Sequence, residues 1–354
     1  MIAILLAAGV AMIASLAGTR LLMFIFKRLG KGQPILGAED RGPVQHMSKQ
    51  GTPTMGGIAI LFSAAFGWLV AHLRDGLPFS DQSMIIWVAI FVLATIGFLD
   101  DFLKVQRQHN RGLFWKKKGY ITFGICILLA WWLHVATGVS ETLSFTRSNF
   151  PGITFTWPLF VIWTALMVWG TSNAVNVTDG LDGLAAGSAS FGFIAFTVIA
   201  YWAFRNPLLY HNVINPLDLA VLSASLAGAC GGFLWWNAAP AKIFMGDVGA
   251  LGIGTALGLL AVSTNTHLLL PIICGINVFE AGSVAVQMAV FKASGRKKRL
   301  LKNSPIHHHF EQSGWPETTV IIRFWIISAI CVATAIAIFI ADFTNMQNVN
   351  GFQR

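Results

Sequence analysis

Charged residues are scarce in this chain of 354 residues, and their scarcity excludes an ordinary soluble fold. Only 11% of the residues are charged, whereas 55% are apolar. Apolar runs of about 20 residues are long enough to cross a hydrocarbon core of ~30 Å as helices. Such runs recur from end to end and leave no room for a separate soluble domain. The sequence therefore predicts one integral membrane domain over residues 1–354, of the all-α polytopic class.

Several familiar sequence signatures are also missing. The chain has no HExxH zinc spacing, and GTPTMGG at 51–57 lacks the Gly-Lys-Ser/Thr ending of a P-loop. No basic residue precedes the first apolar run, whose first charge is Arg20, so we expect a retained span and not a cleaved signal peptide. The cysteines show neither metal nor disulfide spacing and are interpreted as packing residues: Cys126, Cys230, Cys274 and Cys331.

The apolar runs predict ten transmembrane helices. One other stretch, residues 139–156, alternates Thr, Ser and Phe and could form a short exposed hairpin. The predicted spans are residues 1–24, 56–73, 84–103, 119–138, 157–176, 186–204, 217–236, 247–264, 268–291 and 321–342.

The distribution of basic residues predicts how the helices are oriented. Lysine and arginine concentrate after odd-numbered spans, as in 116–118 and 296–299, whereas the alternate connections hold only Arg74, Arg147 and Arg205. By the positive-inside rule, the loops after odd-numbered spans are cytoplasmic and both termini lie outside. The net charge of +9 is thus explained by membrane topology, and we expect no nucleic-acid partner.

Five polar segments from distant parts of the chain are predicted to meet on the cytoplasmic side of the membrane. The outer loops carry nothing comparable, so we expect the chemistry at this one face. The segments are residues 46–57, Asp100-Asp101, 173–183, 237–247 and 307–309.

The central segment NAVNVTDGLDG contains the densest polar spacing. Asn173, Asn176, Asp179 and Asp182 recur every third residue, so neighbours project to similar sides of a helical turn. A glycine follows each aspartate, which favours a helix end where backbone N–H groups can approach a ligand. The alternative is a polar turn between two spans.

Asp100 and Asp101 end an apolar run, with Lys104 at helical spacing from both. Carboxylates at the end of a span are costly near lipid and mark a functional site by default. Adjacent carboxylates raise each other's proton affinity, which suits one of them to act as a general base. An interfacial Asp–Lys pair is the alternative.

Asp247 begins a glycine-rich span, a position that suits either a magnesium ligand or a helix N-cap. Lys49, Thr52 and Thr54 lie in a loop rich in glycine and proline, which suits phosphate binding or a solvated loop. In the triplet 307–309, at most two histidines can face one site, and phosphate or sugar hydrogen bonding fits them better than a metal.

Acids, lysines and glycine-rich loops beside a membrane suit phosphoryl transfer between a soluble nucleotide and a lipid, with a divalent cation on the phosphate oxygens. An ion-coupled transporter is a rival, because intramembrane acids also mark ion pathways. Transporters, however, place their sites near the midplane and often carry inverted repeats. Here the acids lie at the membrane edge, and the sequence shows no internal repeat.

Taken together, five motifs closely resemble the phospho-N-acetylmuramoyl-pentapeptide transferases, a family of the polyprenyl-phosphate N-acetylhexosamine-1-phosphate transferase superfamily. The resemblance covers essentially the whole chain. The motifs are HMSKQGTPTMGG, FLDDFLK, NAVNVTDGLDGLAAG, NAAPAKIFMGDVGALGIG and SPIHHHFE. A transferase of GlcNAc-1-phosphate or a related sugar is the closest rival, and the triple histidine favours the muramoyl family by resemblance.

The resemblance implies a reaction in the bacterial cytoplasmic membrane. Phospho-MurNAc-pentapeptide passes from UDP-MurNAc-pentapeptide to undecaprenyl phosphate, which yields lipid I for peptidoglycan synthesis and releases UMP. It also implies a homodimer and Mg²⁺ as cofactor, bound by Asp247. Asp100 would act on the lipid phosphate with support from Asp101 and Lys104. A one-step attack is favoured over a covalent phospho-enzyme, because a metal-bound Asp247 would be a poor nucleophile.

The resemblance further implies the residues of the nucleotide-sugar site, with a phenylalanine stacked on uracil. They are Lys49, Thr54, Asn176, Asp179, Asp182, Asn237, Phe244, Gln287, His307, His308 and His309.

Overall fold

The computed structural model describes residues 1–28, 49, 51–74, 76–107 and 115–349. Of the predicted polar segment 46–57, residues 46–48 and 50 lie outside this description. The helices of the described part are α1 (Ile2–Arg28), α2 (Gly57–His72), α3 (Asp81–Arg107), α4 (Trp115–Thr137), α5 (Trp157–Thr178), α6 (Leu184–Arg205), α7 (Pro216–Asn237), α8 (Gly246–Ser263), α9 (Leu270–Ile273), α10 (Gly275–Ala293), α11 (Ile306–Glu311) and α12 (Glu317–Val349).

Eight of these helices are long and apolar enough to cross a membrane, namely α1, α3 to α8 and α12. The apolar helix α2 is shorter, at 16 residues. These helices confirm the prediction of an all-α polytopic membrane protein. The total of ten spans stays a prediction.

The predicted ninth span, 268–291, is not one continuous helix. It is divided between α9 and α10, and Cys274 stands at the break with φ −94° and ψ 30°. A Cβ atom on Gly275 would lie 2.6 Å from Sγ of Cys331 in α12. Glycine therefore follows the break at a position where α12 packs closely against the chain.

Helix α8 lies at the centre of the bundle, and every residue from Val248 to Ser263 is buried. Small residues allow this position, because they let helix backbones approach closely inside a membrane. A Cβ on Gly254 would lie 2.4 Å from Cα of Ser172 in α5. The four cysteines are free, and three of them are buried, which confirms their interpretation as packing residues.

The hairpin predicted within 139–156 is present, but it is less exposed than expected. Strands β1 (Thr142–Arg147) and β2 (Phe150–Thr154) pair antiparallel. Ser144 and Thr146 of β1 are fully buried. Arg147 Nε donates to Oδ2 of Asp342 at 2.8 Å, so an ion pair holds the hairpin against α12.

A buried carboxylate joins α2, α3 and α7 near the opposite end of the bundle from the segment 173–183. Asp218 accepts hydrogen bonds from Nε1 of Trp68 at 2.7 Å, from Oγ of Ser80 at 2.6 Å and from Oγ of Ser83. Nε2 of His72 lies 3.2 Å from the same carboxylate. One side chain of α7 therefore satisfies polar groups of α2, of α3 and of Ser80 directly before α3.

Replacing Asp218 by alanine should lower the free energy of unfolding by about 3–5 kcal/mol, because several buried donors lose their acceptor together. Reversible unfolding of the purified protein in detergent by SDS would measure this loss. Asp81→Ala, at an exposed acid that begins α3, should change it by less than about 0.5 kcal/mol. Equal effects of the two variants would contradict the proposed importance of the network.

Candidate active site

Three carboxylates from two helices meet at one end of the bundle. Asp100 and Asp101 lie near the C-terminal end of α3 and are buried, and Asp247 is the second residue of α8. Each offers an oxygen, and these oxygens all lie within 4.8 Å of one another. The structure thus brings the predicted acids of two distant motifs into a single cluster, which we call the carboxylate cluster.

A glycine allows the two helices to approach closely here. A Cβ atom on Gly97, one turn before Asp101 in α3, would lie 2.3 Å from the carbonyl oxygen of Asp247. Because α3 comes so near, Asp101 Oδ2 accepts the backbone N–H of Val248 at 3.2 Å. Asp101 therefore caps the first turn of α8, and the helix end fixes this carboxylate.

Two lysines neutralise most of the charge of the carboxylate cluster. Nζ of Lys104 lies 2.7 Å from Asp100 and 3.0 Å from Asp247. Nζ of Lys118, in the first turn of α4, contacts Asp247 and lies 3.3 Å from Asp100. Three negative and two positive groups leave one net negative charge. Sequence reasoning counted Lys118 only as a topology residue, since nothing in its local sequence pointed to the acids.

The central segment is both the predicted turn and a part of the site. Helix α5 ends at Thr178, and α6 begins at Leu184. Burial of the Asp179 carboxyl, with the nearby charges of Asp247 and Asp101, raises its pKa from 3.8 to about 8. Asn176 is partly buried one turn earlier in α5. Asp179 therefore lies within electrostatic reach of the carboxylate cluster.

A second charged cluster lies beside this turn. Nζ of Lys49 is 2.8 Å from Oδ1 of Asp182 and 2.6 Å from Oε1 of Glu317, the first residue of α12. Asp182 is held further by the backbone N–H of Ala241, at 2.9 Å. Sequence reasoning missed Glu317, because a single acid at the start of a helix is common and carries no distinctive pattern.

Backbone hydrogen bonds join the segment that contains Thr54 to the segment that contains Phe244. Phe244 N–H donates to Pro53 O at 2.8 Å, and Gly56 N–H donates to Phe244 O at 2.9 Å. Thr54 is buried, whereas Phe244 is partly exposed. Asn237 is buried, and its amide donates to Ile243 O at 2.8 Å. Asn237 thus supports the loop that carries Phe244.

Gln287 is engaged by the loop between α10 and α11. Its Oε1 accepts the backbone N–H groups of Leu300 and Leu301, both at 3.0 Å, and its Nε2 donates to Leu301 O at 3.2 Å. His309 contacts the same loop, where its Nδ1 accepts the N–H of Lys302 at 3.1 Å. The structure therefore places both predicted residues against the loop backbone.

The other two histidines pair with acids that sequence reasoning did not select. Nδ1 of His307 lies 2.9 Å from Oε2 of the fully buried Glu280, and Nδ1 of His308 lies 2.7 Å from Oε2 of Glu311. A Cβ on Gly180 would lie 2.4 Å from Nε2 of His307. His307 therefore packs on the turn after α5, and only glycine leaves room for its ring there.

The donor atoms of the carboxylate cluster fit a hard divalent cation. Carboxylate oxygens are the ligands that Mg²⁺ prefers in proteins, usually together with water and substrate phosphates. Asp100, Asp101 and Asp247 supply such oxygens within a span that one ion can bridge. Asp247 also keeps 15% of its side chain exposed, so it is the carboxylate of this group most open to a ligand.

Comparisons with known proteins identify the family of this chain. The family model described as Glycosyl transferase family 4 matches residues 83–265, and a signature of Phospho-N-acetylmuramoyl-pentapeptide-transferase matches residues 49–61. The proteins of that name from Frankia alni and Rhodococcus jostii are 42% and 44% identical to this chain. The alignments cover 98% and 96% of this chain, and 99% and 98% of the relatives. The chain belongs to the phospho-N-acetylmuramoyl-pentapeptide-transferase family.

The matched regions include the whole carboxylate cluster but only a part of the second charged cluster. The signature covers Lys49 and Thr54, and the larger model covers the carboxylate cluster and the turn after α5. Glu317 and the histidine triplet lie beyond residue 265. Near-complete alignment with the transferases named above extends the similarity to most of these later residues.

Gly97→Ala should lower transferase activity by about 100-fold, because a displacement of about 1 Å at reacting groups has an effect of that size. The added Cβ would push α3 away from Asp247. Initial rates of the purified variant would show the loss. Gly124→Ala is a matched control in α4, where a Cβ meets nothing within 4 Å, and it should keep normal activity. Normal activity of Gly97→Ala would contradict the role of this close approach.

Proposed function

We propose that this protein transfers phospho-MurNAc-pentapeptide from UDP-MurNAc-pentapeptide to undecaprenyl phosphate, with lipid I and UMP as products. An oxygen of the lipid phosphate bonds to the β-phosphorus of the donor, and the bond from that phosphorus to the bridging oxygen breaks. UMP leaves with the bridging oxygen. The observation that carries the proposal is the carboxylate cluster with its two lysines, in a chain that aligns with named transferases along nearly its whole length.

Asp100 is the proposed base and orienting group for the lipid phosphate. It lies next to Asp101, and Nζ of Lys104 lies 2.7 Å from its Oδ2, so the lysine holds the carboxylate in place. The Val248 N–H bond fixes Asp101. This arrangement supports direct attack of the lipid phosphate in one step, with Asp101 and Lys104 in supporting roles.

Asp247 is the proposed Mg²⁺ ligand, with Asp101 and Asp100 near enough to share the ion. When bound, Mg²⁺ would neutralise charge on the phosphate oxygens. Lys104 and Lys118 already contact Asp247. They would keep the carboxylate ionised and ready to hold the cation.

The nucleotide-sugar site is proposed beside the carboxylate cluster, around the turn after α5. Lys49 and Asp182 lie on one side of it, and the segment with Thr54 and Phe244 adjoins it through Gly246, whose Cβ would meet both Thr54 and Asp101. The partly exposed Phe244 ring would stack on uracil. The remaining proposed residues are Asn176, Asp179, Asn237, Gln287, His307, His308 and His309.

The proposed orientation places this site in the cytoplasm of a bacterium. The C-terminal ends of α3 and α5 and the N-terminal end of α8 meet at the site, and the basic residues Lys27 and Arg28 end α1. In a bundle whose helices alternate in direction across the membrane, the face that carries the basic loops lies on the cytoplasmic side. Both termini then lie outside the cytoplasmic membrane. A homodimer is proposed from the family resemblance alone.

Transfer of radiolabel to undecaprenyl phosphate by the purified protein tests the proposed function. Label should pass from UDP-MurNAc-pentapeptide to the lipid when Mg²⁺ is present and should stop when EDTA removes the ion. UDP-GlcNAc should neither serve as donor nor compete strongly. Labelling from UDP-GlcNAc would move the protein to a sister activity, and labelling from neither donor would refute the proposal.

Asp247→Asn should reduce the rate by about 10²- to 10³-fold, the range seen when one group that stabilises the transition state is lost. It should also move the Mg²⁺ titration to higher concentration, because an amide binds the ion more weakly than a carboxylate. Glu141→Gln, near the outer hairpin, should match the wild type in both measurements. An unchanged Mg²⁺ titration for Asp247→Asn would remove this residue as the metal ligand.

A further inference from the structure

Glu317 makes contacts that a helix-capping acid does not need. Both of its carboxylate oxygens lie close to Nζ of Lys49, at 2.6 and 2.8 Å. Its Oε1 also accepts the backbone N–H of Asp182 at 3.2 Å. An acid at the start of a helix is favoured by the helix dipole alone, but that effect does not direct the carboxylate toward a lysine from another part of the chain.

Carboxylate oxygens are available for every N–H donor of the Lys49 ammonium group. A lysine has three N–H donors, and three carboxylate oxygens surround Nζ within 2.8 Å, two from Glu317 and one from Asp182. A phosphate that binds Lys49 must therefore take the place of one of these oxygens.

Of the two acids that contact Lys49, Glu317 is the one that a ligand can displace. The Asp182 side chain is 2% exposed and also accepts the N–H of Ala241, so it is fixed from two directions. The Glu317 side chain is 19% exposed and stands at the end of α12. An incoming anion can reach this carboxylate and replace it on Lys49, and the anion can then also accept the N–H of Asp182 that Glu317 releases.

The net charge of the second charged cluster also indicates that Glu317 is the acid to be displaced. Lys49, Asp182 and Glu317 together carry one net negative charge, which repels an anion. Loss of the Glu317 charge would leave the group neutral and would also weaken the competing contact on Lys49. The weaker repulsion and the weaker competition for Lys49 both favour binding of a phosphate, so the two contributions add.

We infer that the Glu317 carboxylate occupies the position of a donor phosphate on Lys49 and must be displaced when the nucleotide donor binds. This inference rests on the proposed function, since it takes the donor to be a nucleoside diphosphate sugar. Glu317 is then a positioning residue that acts through Lys49. It keeps the lysine side chain ordered and makes weakly bound anions poor competitors for the site.

Steady-state kinetics of Glu317→Gln test the inference. The KM for UDP-MurNAc-pentapeptide should fall about five- to tenfold, the factor expected for the net contribution of one ordinary hydrogen bond. The kcat and the KM for undecaprenyl phosphate should change by less than about twofold. Glu317→Asp should lie between wild type and Glu317→Gln. A donor KM that is unchanged, or that rises, would overturn the inference.

Two controls separate this effect from helix stability and from general electrostatics. Asp81→Asn removes the acid that begins α3, as Glu317 begins α12, and it should leave the donor KM unchanged. In a Lys49→Gln background, Glu317→Gln should lower the donor KM by a clearly smaller factor, because only the loss of negative charge then contributes. A decrease as large as that in the wild-type background would show that Glu317 does not act through Lys49 and would overturn the inference.

Acylation of Lys49 followed by mass spectrometry tests the pair without turnover. Glu317→Gln should raise the acylation rate several-fold near pH 8.5, because the variant loses the paired carboxylate oxygens that hold and cover Nζ of Lys49. An unchanged rate would overturn the inference whether or not the wild-type protein catalyses transfer. If the acylation rate rises but the wild-type protein shows no transferase activity, the contact between Glu317 and Lys49 is confirmed. In that case the proposed function is wrong, and the contact is not.

Discussion

The close packing of α8 against its neighbours is the constraint on which the rest of the structure depends. Glycines at its contact points let α3, α5 and α2 approach at backbone distance, and the helix is buried along nearly its whole length. The backbone N–H groups at its N-terminal end must therefore find hydrogen-bond acceptors inside the protein. Asp101 accepts the N–H of Val248, and the same close approach of α3 to α8 brings Asp247 near Asp100.

Charge compensation follows from this packing. Carboxylates brought together at a membrane edge are costly unless cations lie among them. Lys104 supplies one cation from the same helix as two of the acids, and Lys118 supplies the other from α4. The lysines reduce the formal charge of the cluster from three negative charges to one, which lowers the cost of holding the acids together.

The parts of this arrangement that could be predicted are those with a strong local signal. Acids in an apolar chain stand out, so Asp100 and Asp247 were found, and long apolar runs located most of the helices. Lys118 and Glu317 were missed because a lysine in a basic loop and an acid at a helix start are common. The break at Cys274 coincides with the close approach of α12 at Gly275, and a tertiary contact of this kind leaves no trace in the local sequence.

The network around Asp218 has a mechanical consequence for the bundle. It ties α2, α3 and α7 together near the C-terminal end of α2 and the N-terminal end of α3. The carboxylate cluster lies at the other end of α3, more than 15 residues away along the same helix. Because buried hydrogen bonds hold this end of α3, a rotation of the helix about it would displace Asp100 farther than Ser83.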